Sequence, residues 1–188
     1  MEILQIKKLT KVYNAFKDAK EVIALNEINF NVDKGEFIGI MGSSGSGKTT
    51  LLNILSGIDK ATSGEVHING QDIIKMKKDE LALFRRRKVG FIFQALICEP
   101  SVIFADEPTG NLDSKSSKSI MTTFKNMNEE KSATVIMVTH DAFAASFCKR
   151  KIFIKDGAIR LEIISAGDRN KFFDKILEAQ SVIVGEKQ

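Results

Sequence analysis

The chain has 188 residues, of which 43% are apolar and 28% charged, with a net charge of +4. That balance suits one domain with a real core and an ordinary polar surface, at most with a small appendage. No apolar run approaches the roughly 20 residues that cross a bilayer, and Met1-Glu2-Ile3-Leu4-Gln5 has no signal-peptide layout. Cys98 and Cys148 lie far apart and fit no metal or redox motif. They are expected to be reduced thiols in a cytoplasmic protein.

Leu4, Ile6 and Leu9 stand among polar neighbours, and residues 22–32 alternate in the same way. Both predict strands with one wet face, and so an antiparallel layer. Phe37 to Met41 is a short apolar run and predicts a buried strand. A helix-forming run follows from Thr49 to Leu55. Val66-His67-Ile68-Asn69-Gly70 predicts a strand ending in a turn. Lys78 to Arg87 predicts a basic helix. Val89–Phe93, Val102–Ala105 and Thr134–Val138 are short and uniformly apolar, with Lys151–Ile154 a weaker fourth. Such runs predict strands buried on both faces of a parallel sheet. Ser114 to Asn128 predicts a helix between two of them. The expected fold is therefore α/β, with a mostly parallel sheet flanked by helices and a small antiparallel β-layer. Asp168 to Ala179 carries Phe172, Phe173, Ile176 and Leu177 at helical spacing and predicts a C-terminal helical tail over residues 168–188 with a packing face.

The basic clusters Lys75–Lys78 and Arg85–Lys88 interleave with few aromatics. They suit solvated helix faces better than a nucleic-acid footprint, and no nucleic-acid partner is expected.

Between the Phe37 strand and its helix lies Gly42-Ser43-Ser44-Gly45-Ser46-Gly47-Lys48-Thr49. It fits G-x-x-x-x-G-K-[ST], the phosphate-binding loop. Its glycines let successive N–H groups point at one anion, and the following helix aims its positive end at the same anion. Lys48 can reach the β- and γ-phosphates, and the Thr49 hydroxyl can ligate Mg²⁺. A second pattern, Val102-Ile103-Phe104-Ala105-Asp106-Glu107, places two acids after an apolar strand. Asp106 could hold Mg²⁺ through water, and Glu107 could orient and deprotonate an attacking water.

With these two motifs together, the chain resembles the nucleotide-binding subunit of ABC transporters. Gln94, after Val89-Gly90-Phe91-Ile92-Phe93, looks like the glutamine of the family's Q-loop, which implies a contact with Mg²⁺ and the γ-phosphate. Asn111-Leu112-Asp113 looks like the D-loop and implies a nucleotide contact at Asp113. His140, after Thr139, looks like the switch histidine that meets the γ-phosphate. Tyr13 stands where the family has an aromatic that stacks on adenine. The phosphates fall by resemblance to Gly42, Ser43, Ser44, Gly45, Ser46, Gly47, Lys48, Thr49 and Thr50, and Mg²⁺ to Thr49, Gln94 and Asp106. Glu107 and His140 take the catalytic roles. The implied partners are a polytopic permease and a second nucleotide-binding subunit. The implied location is the cytoplasmic face of the membrane.

The run from Asp106 to Ser114 resembles the lipoprotein-release and macrolide-export branch. The ending, with Phe153-Ile154-Lys155-Asp156-Gly157 and Phe172-Phe173, is similar to bacitracin-type peptide-resistance transporters.

One family feature is missing. Leu-Ser-Gly-Gly-Gln, the family's signature, occurs nowhere in the chain, and only eleven residues separate Gln94 from Asp106. The chain reads as one nucleotide-binding domain over 1–188, shortened between Gln94 and Ala95. Parallel neighbours need a crossover of a dozen or more residues. Ala95 to Ser101 reaches about 23–25 Å when extended and about 10 Å as a helix, against about 17–20 Å to return along a strand. An extended or distorted linker is expected there. In the family, the signature of one subunit completes the ATP site of the other. The residues here therefore imply Mg·ATP binding with poor turnover and poor coupling. A non-hydrolysing remnant or regulatory module stays open beside that reading, as does a shortened product that folds poorly. A small P-loop kinase or nucleic-acid ATPase has no support from the Asp113 and His140 contexts.

Overall fold

Two apolar rhythms in the sequence build two sheets. The computed structural model describes residues 1–14, 21–91 and 100–185. In chain order the strands and helices are β1 (Glu2–Tyr13), β2 (Val22–Asp33), β3 (Phe37–Met41), α1 (Lys48–Leu55), β4 (Ser63–Ile68), β5 (Gln71–Asp72), α2 (Lys78–Lys88), β6 (Val89–Phe91), β7 (Val102–Asp106), α3 (Ser114–Lys131), β8 (Thr134–Val138), α4 (Ala142–Ala145), β9 (Arg150–Lys155), β10 (Ala158–Ile164) and α5 (Arg169–Gly185).

The half-wet strands form an antiparallel sheet of order β2-β1-β4-β5. The uniformly apolar strands form the second sheet, of order β10-β9-β3-β8-β7-β6. Neighbours from β9 to β6 run parallel, and β10 returns antiparallel at the edge. Every residue of β3 and β8 is buried, as double-sided cover requires. Side chains alternate between faces. Ile38, Ile40, Phe104, Ile136 and Val138 join the core shared with α1 and the antiparallel sheet. Phe37, Ile103, Ala105, Val135 and Met137 face Met121 and Phe124 of α3.

The expected α/β core and β-layer are both present. Besides the short β5 and α4, which are not expected, three details differ. First, no strand is expected after residue 157, yet β10 pairs along β9 from Ala158↔Lys155 to Ile164↔Arg150. An Asp156-Gly157 turn joins them, with φ of 52° and 72°, a geometry Asp-Gly adopts readily. Second, the packing stripe of α5 is Phe172, Ile176, Ala179 and Ile183. Leu177, expected in that stripe, is exposed. A helix turns about 100° per residue, so the 172/176/179/183 spacing follows one face and 177 falls beside it. Third, α3 runs three residues beyond its expected end at Asn128, to Lys131.

β6 and β7 pair in parallel from Val89↔Val102 to Phe91↔Phe104. The expected Gln94 position and most of the 95–101 linker lie outside the described residues. Of that linker, Pro100 and Ser101 are described, and both are non-helical.

Candidate nucleotide site

The site forms at the carboxyl ends of β3, β7 and β8, where open α/β sheets bind their ligands. β3 delivers the phosphate loop, β7 delivers Asp106 and Glu107, and β8 delivers Thr139 and His140.

The loop needs its glycines at two places. A Cβ on Gly42 would lie 2.2 Å from the Ile154 carbonyl oxygen, and one on Gly47 would lie 2.3 Å from that of Ala24. Gly47 also sits at φ +103°, a region costly for other residues. Gly157 N–H donates to the Ser46 carbonyl (3.1 Å), so the β9–β10 turn braces the loop. Gly47 caps α1 without a side-chain hydrogen bond. The first N–H groups of that helix are therefore left facing the loop, which favours an anion there.

Lys48 is buried, and its Nζ donates to the Ser43 carbonyl at 2.8 Å. Burial lowers its pKa, while the Glu107 and Asp106 carboxylates act to raise it. Asp106, the last residue of β7, is exposed. The protein wall around it, and then the Glu107 charge, raise its pKa; the nearby Thr49 side chain and the Lys48 charge oppose this. Two negative groups facing one lysine leave room for a further cation. A hydroxyl and a carboxylate at one edge are donors Mg²⁺ takes when phosphates and waters complete its shell. No cluster of three or more His, Cys, Asp or Glu occurs among the described residues, so the protein alone offers only part of such a shell.

Glu107 is held from four directions. Its backbone is left-handed (φ 45°) and its N–H donates to the Val138 carbonyl at 2.9 Å. Oε2 accepts from the Thr139 hydroxyl at 3.2 Å and from the His140 N–H at 3.4 Å. Oε1 lies 3.0 Å from His140 Nδ1. With its proton on Nδ1, His140 donates to Glu107 and presents Nε2 outward.

Tyr13 ends β1 and keeps a partly exposed ring. Its hydroxyl donates to Asp59 Oδ2 at 2.6 Å, and Lys11 Nζ sits 4.5 Å from the ring centroid. Lys11 also pairs with Asp59 at 2.9 Å. Burial and Asp59 raise the Tyr13 pKa, and the Thr50 side chain opposes the rise. This sets the expected base platform beside Thr50, the first residue after the loop. Asp113 caps α3: Oδ1 accepts from the Lys115 and Ser116 N–H groups (2.9 Å each), and Oδ2 from the Ser116 hydroxyl (2.8 Å). Those bonds hold its pKa below the usual range. Both carboxylate oxygens thus serve the helix start. Gln94 lies outside the described residues.

The structure brings Lys48, Thr49, Asp106, Glu107 and His140 to one edge. Sequence reasoning missed Thr139, which grips Glu107, and Lys11 and Asp59, which hold Tyr13. Asp59 is 46 residues from Tyr13, and no local spacing signals such a contact.

A family model described as ABC transporter matches residues 25–140. An uncharacterized ABC transporter ATP-binding protein of Bacillus subtilis, YvcR, is 41% identical over 250 aligned positions, covering 99% of this chain and 96% of that protein. The bacitracin export ATP-binding protein BceA of Halalkalibacterium halodurans is 37% identical over 250 positions, covering 98% of each. Both alignments are longer than the 188-residue chain, so each relative has dozens of residues without a counterpart here. The dimeric ADP- and phosphate-bound ATP-binding cassette MJ0796 of Methanocaldococcus jannaschii superposes with a TM-score of 0.82 at 31% identity, covering 88% of this chain and all of that one.

Proposed function

This chain belongs to the ABC transporter family as an ATP-binding subunit, and from that membership we propose that it binds ATP with Mg²⁺ to drive a partner permease. The transport proposed is export or removal of an antimicrobial peptide or a lipid-like compound. Similarity to the bacitracin exporter's ATP-binding protein supports that substrate class. Family membership supports a place at the cytoplasmic face of the membrane, held there by the permease.

The observation that carries the reading is the convergence of three strand ends on one phosphate loop. Lys48 and the uncapped N-terminus of α1 would hold the phosphates. Thr49 and Asp106 would hold Mg²⁺, which would neutralise charge on the β- and γ-phosphates. Glu107 would accept a proton from the attacking water. His140 would meet the γ-phosphate through Nε2 while its Nδ1 stays on Glu107.

A second reading concerns rate. The sequence holds no Leu-Ser-Gly-Gly-Gln, and we propose that the chain is shortened after Gln94. The excess length of both alignments supports this. A subunit without that segment cannot donate its hydrogen bonds to a partner's γ-phosphate, and catalysis of phosphoryl transfer depends on such preorganised donors. ATP binding with slow, non-cooperative hydrolysis is the expected behaviour. Calorimetric titration of the chain with ATP and Mg²⁺, beside a turnover assay on the same sample, tests it. Failure of Lys48→Ala to weaken binding would overturn the site assignment.

A further inference from the structure

His140 carries an exposed side chain, 69% accessible, at the site's rim. Few contacts hold it. Glu107 takes the ring at Nδ1. Glu107 Oε2 also accepts from the His140 N–H at 3.4 Å. A third restraint comes from far along the chain: Gln180 Nε2 on α5 donates to the His140 carbonyl at 3.2 Å. α5 itself is firmly seated. Phe172, Ile176, Ala179 and Ile183 are buried with Met41, Ala145 and Phe153. Met41 is the residue before the phosphate loop, and Ala145 ends the helix that follows His140. Lys155 Nζ donates to the Ile183 carbonyl at 2.7 Å. The Lys151 ammonium lies 3.7 Å from the Phe172 ring centroid, and the Arg169 guanidinium 4.5 Å from that of Phe147. One helix therefore touches both the strand that feeds the loop and the segment that carries the histidine.

We propose that α5 braces the histidine loop, with Gln180 as a positioning residue that sets His140 through its backbone carbonyl. The inference rests on the reading that His140 meets the γ-phosphate. A carbonyl fixed by a donor on a rigid helix fixes the peptide plane, and with it the direction of the ring. Loss of that donor lets an exposed side chain wander. ATP then loses affinity, while ADP, which has no γ-phosphate, does not.

The test measures affinities of the full chain for ATP and for ADP, each with Mg²⁺, by competition against a fluorescent nucleotide. Gln180→Ala should lower the ratio of ATP to ADP affinity about threefold or more, with ADP affinity unchanged. Gln180→Lys keeps a donor and should restore the ratio. An unchanged ratio in Gln180→Ala, or a parallel fall for both nucleotides, overturns the inference. His140→Ala separates the two levels. If it lowers the ratio and Gln180→Ala does not, the γ-phosphate reading stands and the brace alone fails. If His140→Ala leaves the ratio at its wild-type value, the reading fails and the brace with it.

Discussion

Glu107 Oε1 and His140 Nδ1 stand 3.0 Å apart across the ends of two parallel strands. The pair is fixed by the sheet, since β7 and β8 are in register up to Asp106↔Val138. Thr139 adds a second hold on the same carboxylate at 3.2 Å. A base held this way needs little rearrangement before it takes a proton.

Replacing Glu107 with Gln keeps the shape and the acceptor oxygen but removes the basic oxygen. Residual hydrolysis should fall about 10²-fold or more, with ATP affinity unchanged. A single-turnover assay on the variant reads both. Equal hydrolysis rates in the two proteins would remove Glu107 from the base role.

Two loop glycines should behave differently. Gly47→Ala places a Cβ 2.3 Å from a backbone oxygen at φ +103°, whereas Gly45→Ala, at φ +77°, meets open space. Gly47→Ala should lose about 2–3 kcal/mol of stability and detectable ATP binding. Gly45→Ala should cost about 1 kcal/mol. Denaturant midpoints of the two variants check the order, and a reversed order would show that the loop is held otherwise.

Asp59 tests the base platform. Asp59→Ala leaves the Tyr13 hydroxyl and Lys11 without their shared partner. ATP affinity should fall about threefold, while inorganic tripolyphosphate, which has no base, binds as before. An equal loss for both ligands would mean that Asp59 serves the phosphate loop instead.

Much of this was legible in the sequence because the informative segments are locally determined. β3, β7 and β8 are short and almost wholly apolar, broken only by Thr134 at the start of β8 and Asp106 at the end of β7, the pattern of a strand buried on both faces. The loop's glycines and Lys48 carry their chemistry within eight residues. β10 was missed although Asp156-Gly157 signals a hairpin, because Ala158–Ile164 mixes exposed apolar with charged residues. Gln180 and Asp59 were illegible for a different reason. Each acts through a contact 40 or more residues away, which only the packed fold creates.

Lys151 gives the chain a pH signature. It is fully buried, its Nζ donates to the Cys148 carbonyl, and it lies over Phe172. Burial lowers its pKa from 10.5 to about 8, against a smaller upward pull from Cys148. Between about pH 8 and 10.5 the unfolded chain holds more protons at this site than the folded one, so stability rises with pH across that window. Below pH 8 both states are charged and the full cost of burial is felt. From pH 7 to 9.5 the stability of wild type relative to Lys151→Met should improve by about 1–2 kcal/mol. A flat difference would place the lysine in a wetter setting.

The most direct test titrates the purified chain with ATP and Mg²⁺ and follows phosphate release from the same sample. The expected result is saturable binding that Lys48→Ala abolishes, with slow hydrolysis that shows no cooperativity in protein concentration. Absence of ATP binding, or rapid cooperative turnover by a chain without Leu-Ser-Gly-Gly-Gln, would contradict it.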